Sequence, residues 1–186
     1  MADRGVSGFA ITDHVDFTNI SWILNKLRKL QDLRDDYEIK VLLGVEITHI
    51  PPSLIDRAVE LALSEGAEIV VVHGETLVEP VKEGTNLAAI ESNAHILAHP
   101  GILDPELADK AKSSGIYLEI SARKGHCLGN GSVAKYSEIA VINTDTHSPS
   151  DIISPDFALK ICLAAGASCK VIENNRKLFR KLWNRR

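Results

Sequence analysis

The sequence of 186 residues contains no stretch approaching the roughly 20 consecutive apolar residues that a spanning helix needs. Met1 to Gly5 lack the charged-then-apolar layout of a secretory leader. Together these absences lead us to expect a cytoplasmic protein with no membrane partner. Basic charge is not in excess: 21 Lys and Arg face 25 Asp and Glu, a net charge of −4, so nucleic acid is an unexpected partner. Cysteine is scarce. Cys127, Cys162 and Cys169 form no C-x-x-C and cannot all pair within one chain, which argues for reduced thiols. There is no Gly-x-Ser-x-Gly and no Gly-Lys-Ser/Thr, which disfavours a serine nucleophile and a P-loop. No linker, repeat or low-complexity tract divides the chain, so residues 1–186 read as one domain.

What is present is an alternation of short apolar runs with longer amphipathic stretches. Runs at 8–11, 40–45, 68–72, 95–98, 116–118 and 139–142 read as strands. Several are rich in Ile and Val without strict alternation, as parallel strands covered on both faces are. Helices are expected over 20–35, over 52–65, from Asp104-Pro105 to Gly115, from 155 to about 165, and from about 168 to 183. The fold class is α/β.

The residues that follow the apolar runs are Asp13-His14, Glu46, His73, His99, Glu119 and Asp145-Thr146-His147. The carboxyl ends of parallel strands open on one face, so these imidazoles and carboxylates converge there. Any one of them alone reads as a solvated loop residue or a helix cap. As a set they read as a metal centre. Imidazole nitrogen with carboxylate oxygen and no thiolate suits Zn, Mn or Fe, and a carboxylate such as Glu46 can bridge two ions. Without a cation, so many buried like charges would raise one another's pKa.

Other histidines read differently. His95 and His99 lie about 13 Å apart on a strand and cannot share an ion, which leaves His95 structural at the opposite end. His49, in a Thr-His-Ile-Pro-Pro loop, reads as exposed. The glycine-rich segment 121–132 carries Arg123, Lys124 and His126, which suit a phosphate or carboxylate ligand beside the metal set. Arg176, Lys177, Arg180, Lys181, Arg185 and Arg186 read as the solvated face of a helix packed through Leu178, Leu182 and Trp183.

The ordered series Ala10-Ile11-Thr12-Asp13-His14, Gly44-Val45-Glu46, Val72-His73-Gly74, Ala98-His99-Pro100-Gly101 and Asn143-Thr144-Asp145-Thr146-His147 resembles the motifs of the PHP (polymerase and histidinol phosphatase) domain. Val72 to Thr76 with Glu79-Pro80, and Glu119 to His126, are similar to the small stand-alone histidinol-phosphatase-type proteins. The resemblance implies a distorted (β/α)7 TIM-like barrel with two or three divalent ions and phosphoester hydrolysis. It implies His14, Glu46, His73, His99, Asp145 and His147 as ligands, Glu46 as bridge and Glu119 as a further ligand. One departure stands out. The family's opening strand ends in His-x-His, and no His-x-His occurs in this chain. Met1 to Gly5 read as the tail of a first helix entering the second strand, so the first strand and most of that helix are expected to be lacking.

The expected function is hydrolysis of a small phosphomonoester by metal-activated water. Asp145 would orient or deprotonate the water, His147 or His14 would protonate the leaving alkoxide, and Arg123, Lys124 or His126 would bind the phosphate. An amidohydrolase-like C–N hydrolase, or an impaired metal-binding or binding-subunit domain, are the alternatives. The sequence carries no signal of oligomeric state.

Overall fold

Among the described residues six strands run parallel in one sheet whose order is the order of the chain. They are β1 Gly8–Val15, β2 Lys40–Ile47, β3 Ile69–His73, β4 Ile96–Ala98, β5 Tyr117–Ser121 and β6 Ala140–Asn143. Parallel neighbours need crossovers, and these run through α1 Ile20–Leu27, α2 Pro52–Ser64, α3 Thr85–Glu91, α4 Pro105–Ser114 and α5 Asn130–Ala134. After β6 come α6 Pro155–Ala164 and α7 Lys170–Trp183. The structure, a computed structural model, describes residues 2–31, 33–36 and 39–185. Met1, Asp32 and Arg186, on which the readings of the first residues, the first helix and the basic tail partly rest, lie outside the described residues.

Laid flat, such a sheet would hold β1 and β6 roughly 24 Å apart, five spacings of about 4.8 Å. The rings of His14, on β1, and His147, just past β6, instead have centroids 5.5 Å apart. The sheet is therefore curled into a half-barrel, and its carboxyl ends converge. Among the described residues β1 and β6 are the two edges and do not pair with each other.

Period-two alternation divides the strand side chains into two apolar layers. Val45, Val70, Val72, Leu97, Leu118 and Ile142 face outward onto Ile20, Leu24, Ile55, Val59, Ile90 and Ala111 of the surrounding helices. Leu42, Ile69, Val71, Ile96, Ala98 and Val141 face inward, where Leu178 and Leu182 of α7 meet them. Helix α7 thus fills the concave side of the sheet toward the amino ends of the strands. It sits so close to β1 that a Cβ on Gly8 would lie 2.6 Å from the ring of Phe179.

Local sequence sets the helix ends. In α4 the Asp104 carboxylate accepts the N–H of Leu107 at 2.8 Å, Pro105 opens the first turn, and Gly115 stops the helix at φ +77°. Ser154 caps α6 in the same way through the N–H of Phe157.

Three expectations need correction. The helix expected over 20–35 ends at Leu27 and gives way to 3-10 turns at Arg28–Leu30 and Arg34–Asp36. The cause is Arg34, which is buried and bonds both oxygens of Glu68 at 2.8 and 2.9 Å, pinning the chain beneath the start of β2. Helices α3 and α5 were not expected from periodicity, because seven and five residues are too few to display it. Strands β1, β2, β3 and β5 also run further than the apolar runs do, taking in His14, Glu46, His73 and Glu119.

Candidate metal centre

Because β1, β2, β3 and β5 continue into their polar residues, alternation carries the inward face upward from apolar to ionisable. Above Ala10 on β1 comes His14, above Leu42 comes Glu46, above Val71 comes His73, and above Tyr117 comes Glu119. His14 and Glu46 are direct register partners. His99 and Asp145 leave their strands with φ of +28° and +44°. A side chain rarely tolerates that backbone, and such outliers gather at functional sites.

Two trios of potential ligands result. Glu46, His73 and His99 are buried, while His14, Asp145 and His147 lie nearer solvent. Within each trio one ligand atom per residue comes within 4.8 Å of the others. Glu46 joins them: its Oε1 is 3.7 Å from His99 Nε2, and its Oε2 is 3.8 Å from His14 Nε2. Those separations are too long for hydrogen bonds. They match the ligand-to-ligand spacing of about 3–4 Å around an ion with bonds of about 2.0–2.2 Å.

The buried trio also leaves polar atoms without partners. Glu46 Oε1, His73 Nε2 and His99 Nε2 are buried with no hydrogen bond. An orphaned buried polar atom costs on the order of 1–3 kcal/mol, and three of them from three strands aim at one spot. Each imidazole is oriented from behind. His73 Nδ1 donates to the Gly74 carbonyl at 3.0 Å, and His99 Nδ1 faces Glu119 Oε1 at 3.3 Å, so both rings turn Nε2 inward. These donors fit a divalent cation of the Zn, Mn or Fe type.

No known family model matches the chain. The uncharacterized protein MJ1295 of Methanocaldococcus jannaschii is 46% identical to it over 172 residues, 89% of this chain and 79% of that protein. The chain belongs to the MJ1295 family. In this member, six of the seven histidines form one network of ring contacts. His73 meets His99 edge to face at 4.5 Å, and His99 stacks on His126 at 4.2 Å. His95 stands apart and accepts the N–H of Val70 at 3.0 Å.

Electrostatics follow the burial. Burial pushes Glu46 up to about 8, with Glu119 and Asp145 adding to the rise. Burial pulls His73 down to about 4, assisted by His99. Burial would lower His99 too, but the carboxylates of Glu119, Glu46 and Asp145 outweigh it and hold His99 above its ordinary value. For Glu119 burial acts upward, and the bonds from His99 and Asn143 prevail, holding it low.

The remaining expected site residues of this MJ1295-family protein take distinct places. Glu119 joins neither trio: its oxygens meet His99 Nδ1 and, at 3.1 Å, the Asn143 amide. Arg123 donates to the Asp145 carbonyl at 2.9 Å, lies 3.4 Å from Asp145 Oδ2 and bonds His147 Nδ1. His126 is buried, bonded to Thr76 at 2.8 Å and 3.7 Å from Asp145 Oδ2. Lys124 is exposed. His49 is exposed, as its loop suggested, yet its ring approaches His73 at 5.7 Å. Glu79 was missed as a site residue. From the loop after β3 it brings its carboxylate to 3.7 Å from His73 Nε2 and 3.9 Å from His126 Nε2. Only the Glu79-Pro80 pair marks it in the sequence.

Proposed function

We propose that the protein is a divalent-metal-dependent phosphoesterase acting on a small phosphomonoester. The observation that carries this reading is the convergence of three orphaned buried ligand atoms, Glu46 Oε1, His73 Nε2 and His99 Nε2, beside a second trio that shares Glu46. Glu46, His73 and His99 would hold one ion, and His14, Asp145 and His147 a second, with Glu46 between them. Two such ions, when bound, supply activation of water and neutralisation of phosphate charge. The motif series and its resemblance to PHP domains support the same reading, along with a TIM-like barrel as the complete architecture.

The residues of the chain divide the remaining work. Asp145 is fixed by Arg123 and flanked by His126, so its carboxylate is positioned to orient a water and accept its proton. The rings of His147 and His14 lie 5.5 Å apart at the more exposed side of the site, so whichever of the two is left without an ion would protonate the leaving alkoxide. Lys124 and the outward edge of Arg123 supply positive charge for the phosphate oxygens. That positive charge favours a phosphoester over the C–N substrate of an amidohydrolase-like enzyme.

The test is phosphate release from a panel of phosphomonoesters by protein loaded with Mn, Zn or Fe, beside a panel of C–N substrates. Release that disappears in Glu46→Gln and His99→Ala supports the reading. Loaded protein that releases phosphate from no member of the panel sinks it.

A further inference from the structure

We propose that the outward face of α7 is a docking surface for the phosphate backbone of duplex DNA. The helix has two unlike sides. Leu178 and Leu182 are buried in the sheet interior, with Phe179 and Trp183 packed beside them. Lys170, Arg176, Lys177, Arg180, Lys181 and Arg185 are all exposed on the other side. Residues 170–186 hold seven of the 21 Lys and Arg and a single acid, Glu173, so they carry +6 while the rest of the chain carries −10. The net charge of −4 hides this separation.

The stripe is not spent on the protein's own stability. Among the described residues the Lys and Arg ion pairs are those of Arg34, Lys110, Lys112 and Arg123, none of them on α7. Arg176 and Arg180, and Lys177 and Lys181, stand at i, i+4 on α7, and Arg185 lies just past its end. Like charges at that spacing cost a few tenths of a kcal/mol per pair. The field reaches behind the helix: besides burial, Lys181 and Arg185 hold His95 down to about 4. A polyanion laid along the stripe would relieve this repulsion and release its own counterions.

The shape of the stripe selects among polyanions. A bilayer takes up an amphipathic helix through its apolar side, and here that side is already packed inside the sheet. A single strand is held by stacking on aromatic rings, but Phe179 and Trp183 stack on each other at the inner edge, with centroids 6.1 Å apart. A protein partner would want an apolar centre, which the stripe lacks. Within α7 the cations from Lys170 to Lys181 span about 16 Å at 1.5 Å per residue. That is enough to reach across the B-DNA major groove, about 12 Å wide, whereas the A-form groove is too narrow to admit the helix. The stripe lies toward the amino ends of the strands and the metal centre at the carboxyl ends, so the contact tethers rather than delivers a substrate. It stands whether or not the protein is a phosphoesterase.

The experiment is fluorescence anisotropy of a labelled duplex DNA of about 20 base pairs, titrated with full-length protein at about 50 mM salt and upward. We expect log Kobs to fall with log salt at a slope of about −3 to −5. R176A/K177A/R180A/K181A should weaken binding at least tenfold with an unchanged far-UV circular dichroism spectrum. The milder pairs R176Q/R180Q and K177Q/K181Q should each lose part of the slope, which covers misfolding of the quadruple variant. No binding at low salt, undiminished binding by these variants, or tighter binding to single-stranded DNA, duplex RNA or phosphatidylglycerol vesicles overturns the proposal.

Discussion

The Nδ1 of His99 faces Oε1 of Glu119 at 3.3 Å, which turns the other ring nitrogen toward Glu46. Glu119 is itself held by the Asn143 amide, so a chain of three side chains from β5, β6 and the end of β4 sets the direction of one lone pair. Glu119 therefore acts by positioning. Replacing it with Ala should lower metal affinity roughly 10- to 100-fold, while Gln, which keeps an acceptor for His99, should cost less. Competition against a chelating dye measures both, and equal losses in the two variants would refute the orienting role.

Glu46 predicts an unusual stability profile for metal-free protein. Its pKa is about 8 in the fold against 4.5 in the unfolded chain, so the folded state binds the extra proton and stability falls as pH rises between those values. From pH 6.5 to 8 the fall should be about 2 kcal/mol, with His99, also raised, acting in the same direction. Urea melts of Glu46→Gln in EDTA should decline much less steeply over that window, leaving the part due to His99. A decline as steep as in the parent would show that another group is responsible.

The same proton must leave when a cation arrives. Calorimetric titration with Zn or Mn at pH 7, in buffers of different ionisation enthalpy, should show proton release, and affinity should rise from pH 6 to pH 8. Heats that do not depend on the buffer would count against Glu46 as a ligand.

His95 predicts the opposite trend at lower pH. Its folded pKa of about 4 lies below its ordinary 6.5, for reasons of burial first and of Lys181 and Arg185 next. Its contribution is complete above pH 6.5 and is lost as pH falls toward 4, by about 2 kcal/mol between pH 6.5 and 5. Metal-free His95→Gln should lose correspondingly less than the parent over that interval. If the two urea-melt profiles run parallel, His95 does not titrate as its surroundings require.

Packing gives a further test. Leu182→Ala, at a buried position of α7, should cost about 2–5 kcal/mol. Gly74→Ala should damage the site as well as the fold, because its Cβ would lie 2.3 Å from the Ala98 carbonyl oxygen and 2.8 Å from Pro100 Cα. Melting and metal titration of the two variants should differ: the first loses stability with affinity retained, the second loses both.

What could be read in the sequence was whatever strand order alone determines. His14, Glu46, His73 and Glu119 stand at the ends of apolar runs, and parallel connectivity brings such ends together whatever lies between. Glu79 escaped because its approach to His73 and His126 depends on how the loop after β3 folds back, which no periodicity encodes. His126 read as a phosphate- or carboxylate-binding residue of a glycine-rich loop beside the metal set, yet a 3-10 turn at His126–Gly129 and the Thr76 hydroxyl draw it inside. Helix α7 displays the same amphipathic pattern as any surface helix. Only the structure reveals that its apolar side enters the concave face of the sheet.

That placement bears on how the molecule is made. Gly8 and Phe179 touch across nearly the whole described chain, so during synthesis the inward leucines, isoleucines and valines of β2 to β6 emerge long before the helix that covers them. A nascent chain holding all six strands still presents an open apolar trough, a surface suited to chaperones and prone to association. Folding of the interior is thereby tied to completion of residues 170–183, and the protein assumes its final form only after translation has passed α7.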